Sequence, residues 1–295
     1  MIHKELAQRV LVAAVGIPLA VVAMYIGGYA LGGVLGVIAA LSAREFYALA
    51  TSRGDDPYTV FGMIGSALLV VVASGVPSEA SATPLFWAIA LALFLITASA
   101  ALWTRPAERD PLSAAAITVA GAVYTGGTLA YALFLRHAPH TDGMSASAAL
   151  AGTALLAFPV AMTWINDSLA YFAGRALGRR KLIPRVSPGK TVEGAIAGLV
   201  GTTLVGGLYA AFVLQAWTGW PVPVLGGAAV ALVLAAAAQV GDLVESLLKR
   251  SAGVKDSGAL IPGHGGVLDR FDALFFTLPI GYWCLRLVMG SATPL

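Results

Sequence analysis

Charge is what this 295-residue chain has least of. Asp, Glu, Lys and Arg make up 11% of it, against 58% hydrophobic residues and a mean hydropathy of +0.83. That balance excludes an ordinary soluble domain. Cysteine is scarcer still: Cys284 is the single one, so there is no intrachain disulfide and no Cys-rich metal site. It reads as a small apolar packing residue. There is no Gly/Ser linker, acidic tail, low-complexity block or internal repeat, and one membrane domain over 1–295 is the simplest account. A net charge of +3 is modest, and no nucleic-acid partner is expected. Glycine, by contrast, is plentiful. Its 34 copies lack a G-X-Y period and suit close-packed membrane helices, where small residues let backbones approach.

Apolar runs of about 20 residues predict membrane-spanning helices. Lys4 and Arg9 precede the first run as they would in a signal peptide. More apolar segments follow rather than a polar domain, so the run reads as a retained helix. Val10–Ala43 carries no charge. As one helix it would reach roughly 50 Å, too long for a hydrocarbon core of about 30 Å. The "GGYALGG" in its middle offers a turn, which predicts a hairpin with a short second helix. Further spans are predicted at Val60–Val76, Pro84–Trp103, Ala114–Leu135, Ala146–Ile165, Ala195–Trp217, Pro223–Gly241 and Ala273–Gly290. The expected fold is an all-α polytopic integral membrane protein of about nine transmembrane helices. Residues 1–145 would be a lipid-facing scaffold, and 146–295 catalytic helices with loops at 166–193 and 242–272.

The basic residues support this count. On alternate connections, 16 of the 18 Lys and Arg fall on one side and only Arg136 and Arg286 on the other. The positive-inside bias then predicts a cytoplasmic N-terminus. The acids gather at the same edge. Asp167 is expected to close the sixth helix, Glu193 to open the seventh, Asp242 to close the eighth, and Asp269 and Asp272 to open the ninth. Ionisable groups at such depth are costly unless paired or bound, which makes them site candidates. For Glu193 and Asp272 the competing reading is a helix-end acid favoured by the dipole. Asp242 sits at the opposite, unfavourable end.

If the eighth helix runs on to about Arg250, then Asp242, Ser246 and Lys249 share one face at i, i+4 and i+7. Carboxylate oxygens suit Mg²⁺, which takes one or two carboxylates plus phosphate oxygens. Lys and Arg suit phosphates. The set contains the parts for phosphoryl or nucleotidyl transfer, where positioning and charge neutralisation dominate. A glycine-marked loop follows, with His264 between glycines as a phosphate, base or metal contact. The other basic loop holds Arg179–Lys181, expected to face anionic lipid heads. It then reads "SPGKT", the parts of an anion cradle before a helix start, without P-loop spacing.

The run Ser246–Asp272, "SLLKRSAGVKDSGALIPGHGGVLDRFD", resembles the C-terminal motif of CDP-diacylglycerol synthases, also called phosphatidate cytidylyltransferases. It matches the pattern S-x-[LIVMF]-K-R-x4-K-D-x-[GSA]-x2-[LIF]-[PG]-x-H-G-G-[LIVMF]-x-D-R-[LIVMFT]-D at every specified position. "SPGKTVEG" is similar to the family's S-P-K-K-T-x-E-G, with Gly189 where Lys is usual. "DSLAYFAGR" is similar to D-T-G-A-Y-F-x-G-R, with Leu169 where Gly is usual. The resemblance covers the C-terminal half and implies a reaction of CTP with phosphatidate. It implies Asp242 and Asp269 as ligands of Mg²⁺, with room for a second cation such as K⁺. Ser246, Lys249, Arg250, Lys255 and Arg270 would hold phosphates, and Ser187, Lys190 and Thr191 would contact CTP or the lipid phosphate. Asp167, Asp256 and Asp272 would stand behind them or join the metal. A homodimer in a bacterial inner membrane, with its site on the cytoplasmic side, is also implied.

Two other readings compete. One is a cytidylyltransferase for another lipid phosphate. The other is a transporter, whose polar groups would sit near the bilayer midplane rather than at one edge. A CDP-alcohol phosphotransferase is set aside, because "DRFD" lacks the G-x2-A-R that would follow.

Overall fold

The computed structural model describes residues 14, 16–76, 78–106, 108, 110–138, 148–260 and 265–290. The chain is almost wholly helical over them. The helices are α1 (Gly16–Ile26), α2 (Gly28–Thr51), α3 (Thr59–Gly75), α4 (Glu79–Thr104), α5 (Pro111–Arg136) and α6 (Ala148–Leu177). After a short hairpin, β1 (Lys181–Ile183) and β2 (Ser187–Thr191), come α7 (Val192–Thr218), α8 (Val224–Ser251), α9 (Leu268–Phe271) and α10 (Leu274–Met289). Both α5 and α7 contain a π turn, at Val123–Gly127 and Ala210–Leu214.

Each expected span has a helix at its place. Among the described residues, seven helical stretches are long and apolar enough to cross a membrane, α9 and α10 counting together as one; α1 and α3 are apolar but shorter. The clearest sign of the solvent is α4. It is apolar on all sides, yet Trp87 is 74% and Leu102 77% exposed. Water would not tolerate so large an apolar surface, and lipid does. The chain is a polytopic α-helical membrane protein.

Three local readings need correction. The break in the first apolar run falls at Gly27, in positive-φ backbone (φ 66°) that glycine tolerates best, at the edge of "GGYALGG". The second helix is therefore 24 residues long, not short, and takes in Arg44 and Glu45. Asp167 does not close its helix: α6 continues ten residues further to Leu177, so the connection expected from 166 starts at 178. "SPGKT" is a strand, β2, antiparallel to β1 with Lys181 opposite Thr191 and Ile183 opposite Ser187.

The helices group into two compact units. The first comprises 1–133 with 248–271, the second 134–247 with 272–295. In the first, α2 packs on α3 and α5. The Tyr47 ring lies where Gly62 and Gly121 leave room for it, and its hydroxyl donates to the Thr118 carbonyl at 2.6 Å. In the second, α6 packs on α7 and α10, with Thr163 Oγ1 donating to Thr277 Oγ1 at 3.0 Å. Small residues seat α7 on α8 there: a side chain at Gly206 would overlap Ala231, and one at Gly227 would overlap Ala210.

Candidate functional site

The second unit brings together Asp167, Lys190, Asp242 and Ser246. β2 delivers Lys190, whose Nζ lies 2.6 Å from Asp242 Oδ2 on α8. One turn on, Ser246 Oγ donates to Asp242 Oδ1 at 3.3 Å. The cation offsets the charge of an acid that lies within α8, nine residues before its end. Asp167 on α6 lies within electrostatic range of both Asp242 and Lys190. Asn166 holds it, donating from Nδ2 to Asp167 Oδ1 at 3.1 Å. Asn166 is itself fully buried and accepts from Gln239 Nε2 at 3.0 Å, which also donates to the Ala195 carbonyl. One amide chain thus ties α6, α7 and α8 beneath the acids.

The hairpin is anchored at its root. Thr191 is the N-cap of α7, accepting from Gly194 N–H at 3.2 Å. Glu193, in the first turn of α7, accepts from the N–H groups of Arg179 (3.0 Å) and Arg180 (3.2 Å) and so clamps the segment that leads into the hairpin. Ser187 opens β2. Arg180 Nε also lies 3.6 Å from Glu193 Oε1, with the Arg180 side chain 76% exposed.

The first unit holds a different cluster, built on the last turn of α8, the glycine-marked loop and α9. Helix α8 does run past the apolar stretch, to Ser251, so Asp242, Ser246 and Lys249 share its face as expected. Their partners differ, however. Lys249 Nζ meets Asp269 Oδ1 at 2.6 Å, in a pair only 13% and 5% exposed. Asp269 Oδ2 accepts from the N–H groups of Gly266 (2.8 Å) and Ser257 (3.0 Å). Arg250 is exposed, and its Nη1 donates to the Val254 carbonyl at 3.2 Å. Lys255, Asp256 and Arg270 are exposed as well. His264 lies outside the described residues. Asp272, in the second unit, accepts from Ala273 N–H at 2.7 Å.

Three participants escaped the sequence reading: Glu45, Asn166 and Gln239. Glu45 is buried in α2 and accepts from Ser257 Oγ (2.9 Å), Val267 N–H (3.0 Å) and Leu268 N–H (2.8 Å). A polar residue at or near the end of an apolar run was the available signal in each case.

These clusters offer ammonium and guanidinium groups for phosphates beside carboxylates for a hard cation. The model of the cytidylyltransferase family matches residues 7–288. The chain belongs to the cytidylyltransferase family. A phosphatidate cytidylyltransferase of Synechocystis is 32% identical over 96% of this chain and 97% of its own length. One of Brucella abortus is 52% identical over 42% of this chain and 43% of its own, and one of Bacillus subtilis 43% identical over 46% and 49%. Membership makes the chain a nucleotidyltransferase.

Proposed function

We propose that the chain is a phosphatidate cytidylyltransferase, joining CTP and phosphatidate into CDP-diacylglycerol and pyrophosphate. The observation that carries this is the similarity to the Synechocystis enzyme along nearly the full length of both chains. The lipid's phosphate oxygen attacks the α-phosphorus of CTP. The bond from that phosphorus to the β-phosphate oxygen breaks, and pyrophosphate leaves with the electron pair. A phosphate monoester is already ionised near neutral pH, so no general base is required.

Lys190 and Lys249 are the cations best prepared for the phosphates. Each rests 2.6 Å from a carboxylate, Asp242 and Asp269 respectively. An arriving triphosphate or lipid phosphate competes with that carboxylate for the ammonium. Arg250, Lys255 and Arg270 add exposed positive charge, and Ser187, Thr191 and Ser246 add hydroxyls. His264, Asp256 and Asp272 complete the candidate contacts.

Mg²⁺ fits the donor set. Among the described residues no three His, Cys, Asp or Glu side chains gather into a ready-made metal site. Mg²⁺ needs none, since it takes one or two carboxylates and completes its shell with water and phosphate. The proposed ligands are Asp242, with Asp167 beside it, in the second unit and Asp269 in the first; K⁺ is a candidate second cation. Bound there, it would offset the charge of the leaving pyrophosphate. The one-sided Lys and Arg distribution supports a site on the cytoplasmic face of a bacterial inner membrane, with anionic lipid around it. The family resemblance supports a homodimer.

Purified protein given CTP, phosphatidate and Mg²⁺ should release pyrophosphate, and Asp242→Ala or Asp269→Ala should abolish it. Full activity in either variant would sink the metal assignment. Turnover only with a different lipid phosphate, or none with solute uptake into vesicles instead, would replace the substrate or the class.

A further inference from the structure

We infer that Glu45 is a positioning residue for nucleotidyl transfer: through the glycine-marked loop it fixes Asp269, and with it Lys249. This rests on the reading of those two residues as part of the transfer site, and it deepens that reading. All of the contacts lie within the first unit.

Glu45 sits on α2, more than 200 residues upstream of its partners, and is 6% exposed. Burying a carboxyl group is costly unless hydrogen bonds replace its water. Glu45 finds three. Oε1 accepts from Val267 N–H at 3.0 Å, and Oε2 accepts from Leu268 N–H at 2.8 Å and Ser257 Oγ at 2.9 Å. Asp269 takes the neighbouring donors, the N–H groups of Gly266 and Ser257. Two carboxyl groups thus hold three consecutive amides, 266 to 268, and grip Ser257 from both its backbone and its side chain. The loop can close this tightly only because it lacks side chains there. A Cβ at Gly266 would overlap both Ser257 Oγ and Glu45, and a Cβ at Gly258 would press on Glu45 Oε1.

The consequence reaches Lys249. Its partner Asp269 takes the N–H groups of Gly266 and Ser257, and Glu45 fixes the groups next to both, the amides of Val267 and Leu268 and the Ser257 hydroxyl. Loosening that frame lets the carboxylate turn and the ammonium follow. Partners that orient a functional carboxylate are typically worth about 10- to 100-fold in activity or affinity.

The test uses Glu45→Gln in the full-length protein, in detergent or nanodiscs. A Gln oxygen in place of Oε2 keeps two acceptor contacts, while its NH₂ then faces Val267 N–H and repels it. Glu45→Ala loses all three. Two readouts are taken: amide hydrogen exchange over 257–271, and kcat and KM for CTP and phosphatidate. Expected are faster exchange at 266–268, a kcat reduced about tenfold or more with CTP KM changed less, and the order wild type, Gln, Ala. Unchanged exchange and unchanged kcat in Glu45→Gln overturn the proposal. So does a loss confined to folded yield, with normal kcat per folded molecule. If neither Glu45 variant folds, Ser257→Ala removes one donor of the same clamp. Faster loop exchange with lowered kcat then supports the proposal, and wild-type behaviour in both overturns it. An inactive wild type would instead strike at the enzymatic reading, while the exchange arm still reports on the clamp.

Discussion

The Lys249–Asp269 pair gives the sharpest energetic test. Its side chains are 13% and 5% exposed with 2.6 Å between charges, so this is a desolvated pair rather than a surface one. Removing one partner of such a pair strands the other and costs about 3–5 kcal/mol. Lys249→Met keeps the apolar stem and deletes the charge. Asp269 retains the amides of Gly266 and Ser257, which places the cost at the lower end, about 3 kcal/mol. At about 2 °C per kcal/mol for a chain of this size, melting in detergent should fall by about 6 °C. Unfolding in detergent is read at one fixed scan rate, because irreversible melting depends on it. The informative variant is Lys249→Met with Asp269→Asn. An Asn oxygen in the Oδ2 position still accepts from both amides, and no charge is left stranded. The double variant should recover at least half of the lost melting temperature while remaining inactive in pyrophosphate release. Lys249→Met melting with the wild type would refute the reasoning. So would a double variant that melts at the sum of the two single losses.

Lys190→Ala should act the other way round: its pair with Asp242 is 28% and 32% exposed, so stability should change by no more than about 1 kcal/mol while initial rates fall about tenfold or more. A melting loss like that of Lys249→Met would show the pair to be structural. Asn166→Ala strips a fully buried amide from between Gln239 and Asp167 and should cost about 2 kcal/mol, read by thermal melting. Gly194→Ala sets a Cβ 2.5 Å from the Ala170 carbonyl, which is backbone and cannot step aside, so α6 and α7 must part at about 1–3 kcal/mol. Gly189→Lys restores the residue usual in the family; its Cβ meets nothing within 4 Å, and melting should stay within about 0.5 kcal/mol of the wild type.

Hydropathy marks where lipid begins and ends, not where a helix does. That is why every apolar run found its helix while two helix ends were misplaced. Asn166 and Asp167 end the apolar run, but "SLAYFAGRAL" contains no proline or paired glycines to stop the backbone, and α6 continues to Leu177. The same applies to α2, which carries Arg44 and Glu45 beyond Ala43. The hairpin was illegible for the opposite reason. Three- and five-residue strands containing Pro188 and Gly189 show no alternating pattern, and β1 and β2 hold together by pairing with each other.

The site was legible only as far as its chemistry is local in sequence. Ser246–Asp272 declares itself because its residues are spaced along one helix end and one loop. Glu45 does not, since its partners Ser257, Val267 and Leu268 stand 212 to 223 residues away. No periodicity or spacing encodes a contact of that range. What the sequence does carry is a carboxyl group two residues past an apolar run, and the strong cost of burying one makes it informative. The glycines at 258 and 266 then acquire a second meaning. Both face Glu45. Part of the motif's glycine content, at Gly266 above all, is therefore set by how closely α2's carboxyl group approaches the loop, and Gly266→Ala should disturb the loop's amide exchange before any nucleotide is added.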